Sequence, residues 1–475
     1  MAQIDYSNPQ TDTVQLKRTL GKWQLLFYGL GSMLGAGIYA LVGKAALMMG
    51  NAVWMAFAAA MVGAILTGLS YASLGSRHPR AGGAAYVTQH AFGITILSYI
   101  VGIAVTMSGL TSMAAGTQAM ADNLLKGFSL LANQPYQAGS IWIKPVSVVI
   151  VLMIGLVLIK GIRESMWANL ICTFVEAAGL LFIIAVGMRF WGSVDYMEMP
   201  VGTDTGHFST VLMLVLSGAV LTFFSFIGFE DILNVSEEVK NPSRDVPFGL
   251  VGAMILATLI YMGVAITAVS VIPYQEFADS GSTPLVRVAQ VAAPWFGRID
   301  VVYVGISIFA IGNTALLNYL MGSRLLYGMS RQGLLPGFLG IVNARTQTPV
   351  VAICVLFLIV TALIAVGNVK ALAESTVLLL LCVFIIMNAS LIRLKLKKDE
   401  PKGRFEVPLL VPILGLLVCG AMLVRRAIDP FLGKEITSEA YLPPMLAAVI
   451  IVAAAGLYFV VSPVKVAEEG KIKRD

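Results

Sequence analysis

The chain has 475 residues, 58% of them hydrophobic and only 12% charged, with a mean hydropathy of +0.84. That excludes a water-soluble domain, which could not hide so much apolar surface, and it directs most of the chain toward lipid. The net charge of +6 raises the question of an anionic partner such as nucleic acid, but the placement of the basic residues gives a plainer account.

Residues 1–22 are polar and lack an apolar signal region, so they read as a cytoplasmic tail with no cleaved signal peptide. Apolar runs then recur near 23–48, 51–74, 84–125, 143–161, 165–190, 208–237, 246–272, 297–329, 349–366, 371–395, 407–425 and 441–462. Each is long enough to cross a hydrocarbon core of ~30 Å. The expected fold class is therefore an all-α polytopic membrane protein of about twelve transmembrane helices. The third and eighth runs are long enough to include turns outside lipid, and residues 463–475 form a second tail. With the N-terminus in the cytoplasm, the inner segments hold 22 of the 32 lysines and arginines, and "RLKLKKDEPKGR" (393–404) is the most basic loop. This positive-inside pattern explains the charge without nucleic acid and places both tails in the cytoplasm. Cys172, Cys354, Cys382 and Cys419 all fall in apolar runs and read as small buried hydrophobes.

Two runs carry glycines where a span should keep its helix. The first contains "YGLGSMLGAGIYALVGKAA" (28–46), and the sixth contains "LTFFSFIGFEDILNVSEE" (221–238), cut by Gly228 and followed at once by Glu230 and Asp231. Taken alone, the first cluster fits a small-residue packing face. The pair, each followed by four further spans, is the sequence pointer to inverted repeats with broken helices at a mid-membrane site. Backbone freed at that depth must be buried or line a cavity. Amides of Gly35, Ala36 and Gly37 then open an outer half-helix and suit a carboxylate. Carbonyls at Met33 and from Phe224 to Ile227 suit an ammonium group.

Several motifs occur in one order from about residue 15 to 425. They are "GSMLGAGIY" (31–39), "YASLGSRHPRAGGAAYV" (71–87), "FFSFIGFED" (223–231) with "EEVKNPSRDVP" (237–247), "SRLLYGMSRQGLLP" (323–336) and "RFEVPLLVP" (404–412). As a set they resemble the amino acid–polyamine–organocation (APC) superfamily permeases, of the bacterial amino acid permease type. The resemblance implies a LeuT-like fold of two five-helix inverted repeats (23–190 and 208–395) plus two further helices (407–462). It also implies a secondary transporter of amino acids or related amines in the cell inner membrane, with no ATP and no prosthetic group. On matching positions, Gly35, Ala36 and Gly37 amides would hold a substrate carboxylate. Carbonyls of Met33, Phe224, Ser225 and Ile227 would hold the amino group, Phe226 or Phe229 would cover the site, and Met107 and Thr111 would touch the side chain. Arg77, Arg80, Glu237, Glu238, Arg244 and Asp245 would form inner-gate ion pairs, although solvated loop charge is an equal reading.

At Glu176, in "ANLICTFVEAAGLLFII" (168–184), many permeases of this family carry a lysine. An ionised acid at that depth costs ~2.5–3.5 kcal/mol or more, so Glu176 should be protonated or paired. It is the expected site of a coupling proton, with H+ the expected coupling ion. The alternatives are a bound metal cation, or a helix-bridging bond to Asn169, Thr173 or Asn313. Ser307 and Asn313 are expected to line the cavity opposite the first helix. Lys44 lies seven residues past Gly37, about two turns (~10 Å) outward. It either pairs with Glu230 or Asp231 as vestibule charges, which favours a neutral amino acid, or snorkels to the interface. His78, His90 and His207 match no metal-ligand spacing, so no metal is expected. No P-loop or HExxH motif points to an enzyme. Proton symport of amino acids leads. The alternatives are exchange of cationic amino acids or polyamines, and, further off, a channel or substrate-sensing receptor.

Overall fold

The computed structural model of the chain describes residues 20–78, 83–132, 139–160, 163–200, 206–234, 236, 239–280, 283–331, 333–343, 346, 348–397, 400–432 and 438–461. Among them the protein is almost entirely helical, with one isolated β-bridge, Leu20 to Val239. Ten segments are long and apolar enough to span a membrane, and Val350–Val366 is a shorter apolar helix. The first segment, Lys22–Arg77, has 56 residues, far beyond a single crossing. It turns at Gly50, whose φ is +64°, and so makes two passes. That gives the twelve expected passes of a multi-pass membrane protein.

The first pass is α1 (Lys22–Met33), a break, a wide turn at Gly37–Leu41 and α2 (Val42–Met49). The next helices are α3 (Val53–Arg77), α4 (Gly83–Phe92), α5 (Thr95–Leu131), α6 (Ile143–Lys160) and α7 (Arg163–Gly187). The sixth pass is α8 (Phe208–Phe223), a tight turn at Phe224–Phe226 and α9 (Asp231–Asn234). After it come α10 (Pro242–Val271), short α11 (Tyr274–Asp279) and α12 (Pro284–Ala292), α13 (Ile299–Arg331), α14 (Val350–Val366), α15 (Val369–Leu396), α16 (Leu410–Leu432) and α17 (Ser438–Val461).

The third expected run does hold a turn, at Gly93, which separates α4 from α5. The eighth does not: α13 is one continuous helix of 33 residues. The amphipathic pair α11 and α12 between passes seven and eight was not anticipated, because neither is apolar enough to register as a span. Cys419 is buried as expected, but Cys354 is exposed on the lipid-facing side of α14. On an outer helix, an apolar face meets lipid as readily as protein.

Packing repeats itself five passes apart. α1 lies on α10 and, correspondingly, α8 on α3, while α7 lies on α13 and α15 on α5. The broadest contacts, α5 with α13 and α3 with α10, join passes to their own counterparts. The most buried helices are α15 and α5, whereas α6, α16 and α17 are peripheral, with their apolar faces outward.

Candidate functional site at the two helix breaks

The α1 helix stops because Leu34 adopts an extended ψ of 114°, leaving the residues that follow to start a new helix. Helix geometry then leaves the first N–H groups of that new start without intrahelical partners. In the sixth pass the stop is at Ile227 (ψ 137°) and Gly228 (φ +118°), a conformation that side-chain-bearing residues rarely adopt.

The two breaks cross glycine against serine, twice. A Cβ on Gly37 would fall 2.5 Å from the Ser225 Cα, and one on Gly228 would fall 2.6 Å from the Ser32 carbonyl oxygen. The glycines are therefore required for contact between the two broken helices. A small cavity remains between them, lined by Ser32, Met33, Ala36, Gly37, Phe224, Ile227 and Gly228, with Ser112 of α5 and Thr314 and Asn318 of α13. It encloses about 10 Å³, room for roughly one water molecule.

Tyr261 of α10 changes the account of the carbonyls. Its hydroxyl lies 2.7 Å from the Met33 carbonyl and 2.8 Å from the Ser225 carbonyl, one from each break. A phenol has one hydrogen, so the two acceptors share it. The Phe224 carbonyl accepts from the Ile227 N–H at 3.3 Å. Three of the four carbonyls expected to meet an ammonium group thus already have a protein donor. Tyr261 was missed from sequence, where its only signal was a polar tip in an apolar run, which needs a partner when buried.

The aromatic expectation shifts as well. Phe226 packs edge-on against Tyr261 at 5.4 Å, and Phe229 packs on Tyr71 and Phe384. Both are fully buried away from the cavity, and Phe224 lines it instead, because the tight turn rotates successive side chains apart. Thr111 faces α15 and bonds Thr376 at 2.7 Å, and Met107 packs beside Leu378 and Leu379. The α5 residue at the cavity is Ser112, which accepts a 3.1 Å bond from the Asn318 amide. Thr314 and Asn318 were also missed, although their i, i+4 spacing puts two polar groups on one helix face.

Glu176 is fully buried, and its Oε1 accepts from the Asn313 amide at 3.1 Å. The same amide reaches Asn169 Oδ1 at 2.9 Å, so α7 and α13 are bridged. Thr173 instead bonds its own helix, at the Asn169 carbonyl. Glu176 Oε2, Asn313 Oδ1 and Ser307 Oγ have no hydrogen-bond partner among the described residues. Asn313 faces Glu176 while its neighbour Thr314 faces the cavity and abuts Gly35, so one turn of α13 touches both places. Ser307 is buried on the same helix, and neither it nor Asn313 lines the cavity.

The charges near the breaks are placed differently from the expectation. Asp231 accepts from Ser32 Oγ at 3.0 Å, and Glu230 folds back onto the Gly228 N–H at 2.9 Å. Both lie on the α1 side of the break, whereas Lys44 is on α2, beyond it. The sixth pass runs opposite to the first, so residues after Gly228 descend toward the basic face while residues after Gly37 ascend. The bond from the Lys240 N–H to the Leu20 carbonyl fixes that direction.

At the basic face, Arg77 meets an acid that was not among those expected for it. It makes a two-pronged pair with Glu406, at 2.7 and 2.8 Å, on the loop between α15 and α16. Lys395 and the Gly403 N–H complete the carboxylate's shell at 2.6 and 2.9 Å. Burial alone would raise the Glu406 pKa, but the Arg77 and Lys395 bonds outweigh it and hold the carboxyl at about 2. Asp245 is buried with its N–H on the Asn241 carbonyl, Arg244 is exposed, and neither has an ion pair among the described residues. Arg80, Glu237 and Glu238 lie outside the described residues. His78 and His90 converge on Glu400, at 2.7 and 3.3 Å, and burial lowers the His78 pKa.

A family profile described as Amino acid permease matches residues 20–461. Among curated relatives, Cationic amino acid transporter 4, vacuolar, of Arabidopsis thaliana is 31% identical over 76% of this chain and 60% of its own length. Two Bacillus subtilis proteins are each 28% identical. The Methylthioribose transporter aligns over 88% of this chain and 90% of its own length, and the Branched-chain amino acid permease BcaP over 85% and 87%. The chain spans 55–60% of the length of the plant relatives it matches first.

Proposed function

The chain belongs to the amino acid permease family, and from that premise we propose that it is a secondary transporter carrying neutral amino acids through the crossing of its two broken helices. The observation that carries the substrate class is the cavity lining: backbone, hydroxyls, an amide and apolar groups, with no charged side chain. A zwitterion suits that lining. The N–H groups at Ala36 and Gly37 open a helix and take the carboxylate. The ammonium takes a lone pair on Met33 or Ser225, since the single Tyr261 hydrogen satisfies only one of these at a time. Residues 23–190 and 208–395 act as the two repeats, a reading supported by the recurrence of contacts five passes apart.

A water-sized cavity cannot hold an amino acid, so the crossing must open to load. Arg77, Lys395 and Glu406 tie the end of α3 to the α15–α16 loop, and we assign them to the cytoplasmic closure, with both tails on that side. Coupling to H+ at Glu176 is supported by its having no cation partner among the described residues and by the Asn313–Thr314 step that joins it to Gly35. Exchange of cationic amino acids is the second reading, favoured by the plant relatives, which are named cationic amino acid transporters.

Counterflow and gradient-driven uptake in proteoliposomes test both. Alanine or leucine uptake at least about tenfold above arginine, with accumulation under an imposed proton gradient, is the expected result. Arginine uptake that matches the neutral substrates and requires internal amino acid would replace symport by exchange. Binding without flux would point to a receptor.

A further inference from the structure

The most chemically distinctive cluster away from the helix crossing is at the basic face. His78 ends α3, His90 is on α4 twelve residues later, and Glu400 comes from the loop between α15 and α16. Sequence spacing gave no hint of a metal site, because the carboxylate is 322 residues from the His78 ring and 310 from the His90 ring. The fold closes that gap. Both imidazoles present Nε2 to the same carboxylate, one at each oxygen, and the three ligand atoms lie within 4.8 Å of one another.

We propose that His78, His90 and Glu400 bind a divalent transition-metal ion, with Zn2+ the best match. Two imidazole nitrogens and one carboxylate oxygen are the donor set that takes zinc-like ions, whereas Mg2+ and Ca2+ need mostly oxygen. Three protein ligands leave a fourth position for water, the usual arrangement of an open zinc site. His90 is 40% exposed, which gives an ion a route in, while Glu400 is buried at 7%. The rings are also held before any ion arrives. Their centroids are 4.5 Å apart, and Tyr86 stacks on His90 and meets His78 edge-on. The His90 carbonyl is fixed by Lys397 at 3.2 Å. The guanidinium of Arg77, next to His78 in the chain, is paired with Glu406, which limits repulsion of a cation. A metal would replace the two nitrogen–oxygen contacts by three bonds to itself, from the two Nε2 atoms and one carboxylate oxygen, with the Nε2 protons moving to Nδ1 or released to solvent.

The experiment uses the full chain, purified in detergent without a histidine tag, with Zn2+ and Co2+ as the probes. Expected results are one Zn2+ bound per chain at micromolar free metal, a visible absorption band of four-coordinate Co2+, and a higher thermal midpoint with Zn2+. Glu400→Gln and His90→Ala should each weaken Zn2+ binding by roughly tenfold or more and abolish the Co2+ band. His90 is the safer position for the fold, because it is partly exposed, and Cys354→Ser should leave binding unchanged. Absence of saturable Zn2+ binding to the wild type would overturn the site. So would wild-type affinity in folded His90→Ala together with Glu400→Gln. Neither readout depends on transport, so the metal site and the transport reading fail separately.

Discussion

The centre of the molecule and its basic face solve opposite problems with different chemistry. At the crossing of the two broken helices the polar groups are mainly backbone N–H and C=O, and the side chains that line the cavity are uncharged. At the basic face the polar groups are side-chain ions, with Glu406 holding Arg77 and Lys395 at once. Backbone groups do not titrate, so recognition drawn from them carries no charge of its own to gain or lose with pH. Ion pairs can be exchanged for water at modest cost, which suits contacts that must open and close. The comparison teaches that fixed recognition and reversible closure are drawn from separate parts of the chain. Each substitution below is aimed at one side of it.

The largest effect should come from Gly228. Its positive φ and its contact with Ser32 leave no place for a methyl group, so Gly228→Ala strains the backbone and forces the two breaks apart. Uptake should fall by about 100-fold or more, or the protein should fail to purify as a single species. Wild-type uptake by Gly228→Ala would show that the crossing need not be this tight.

Next is Glu406→Gln, on the other side of the comparison. Arg77 is only 3% exposed and would lose its counter-ion, costing about 1.5–3 kcal/mol. The sign with pH is fixed by the depressed pKa. The native carboxyl titrates at about 2 against an ordinary value of 4.5, so its contribution is complete above pH 4.5 and drains away between there and 2. Thermal midpoints followed from pH 7 to 3 should fall for the wild type below pH 4.5. The variant should start lower and change less in that window. Equal slopes would remove Glu406 from the acid response.

Tyr261→Phe should be milder. It deletes the hydrogen shared by the Met33 and Ser225 carbonyls while keeping the ring on Phe226. The expected result is a folded protein with about tenfold weaker amino acid binding, read by thermal shift or counterflow. If affinity rises instead, the tyrosine competes with the substrate ammonium rather than shaping its site.

Much of the architecture was legible because lipid imposes a length on each apolar run, and because a glycine at mid-membrane has few explanations. The pairing of two glycine breaks, centred on Gly35 and Gly228, came from their matching places in the two halves, and the structure adds the serine contacts of Gly37 and Gly228. What could not be read was side-chain direction inside helices that are apolar all round. Thr111 and Ser112 are neighbours, yet only one reaches the cavity, and no hydrophobic stripe distinguishes them. Glu400 and Glu406 escaped because His78, His90 and Arg77 are 310 or more residues from them, a distance only folding closes. Of the two readings for Lys44, the one that set it beside Glu230 or Asp231 counted outward from both breaks and left out that the two passes run antiparallel, with the acids on the α1 side and Lys44 on α2.

Glu176 tests whether the division between a fixed centre and a titrating face is complete. Beside Glu230 and Asp231, which are bonded at the second break, it is a further buried carboxyl near the crossing, with an amide as partner and one oxygen without any among the described residues. Glu176→Gln keeps the size and the bond to Asn313 but removes the proton that can leave. If Glu176 carries the coupling proton, uptake without a gradient should change least of all the variants here, by a few-fold at most. The several-fold stimulation by an imposed proton gradient should vanish. A variant that still accumulates substrate under that gradient would return Glu176 to a bridge between α7 and α13. Loss of both activities would not separate the two roles, so Glu176→Asp is the informative partner. It retains a proton but shortens the reach to Asn313, and it should keep gradient stimulation while losing stability, because the coupling chemistry resides in the carboxyl and the bridging in its length.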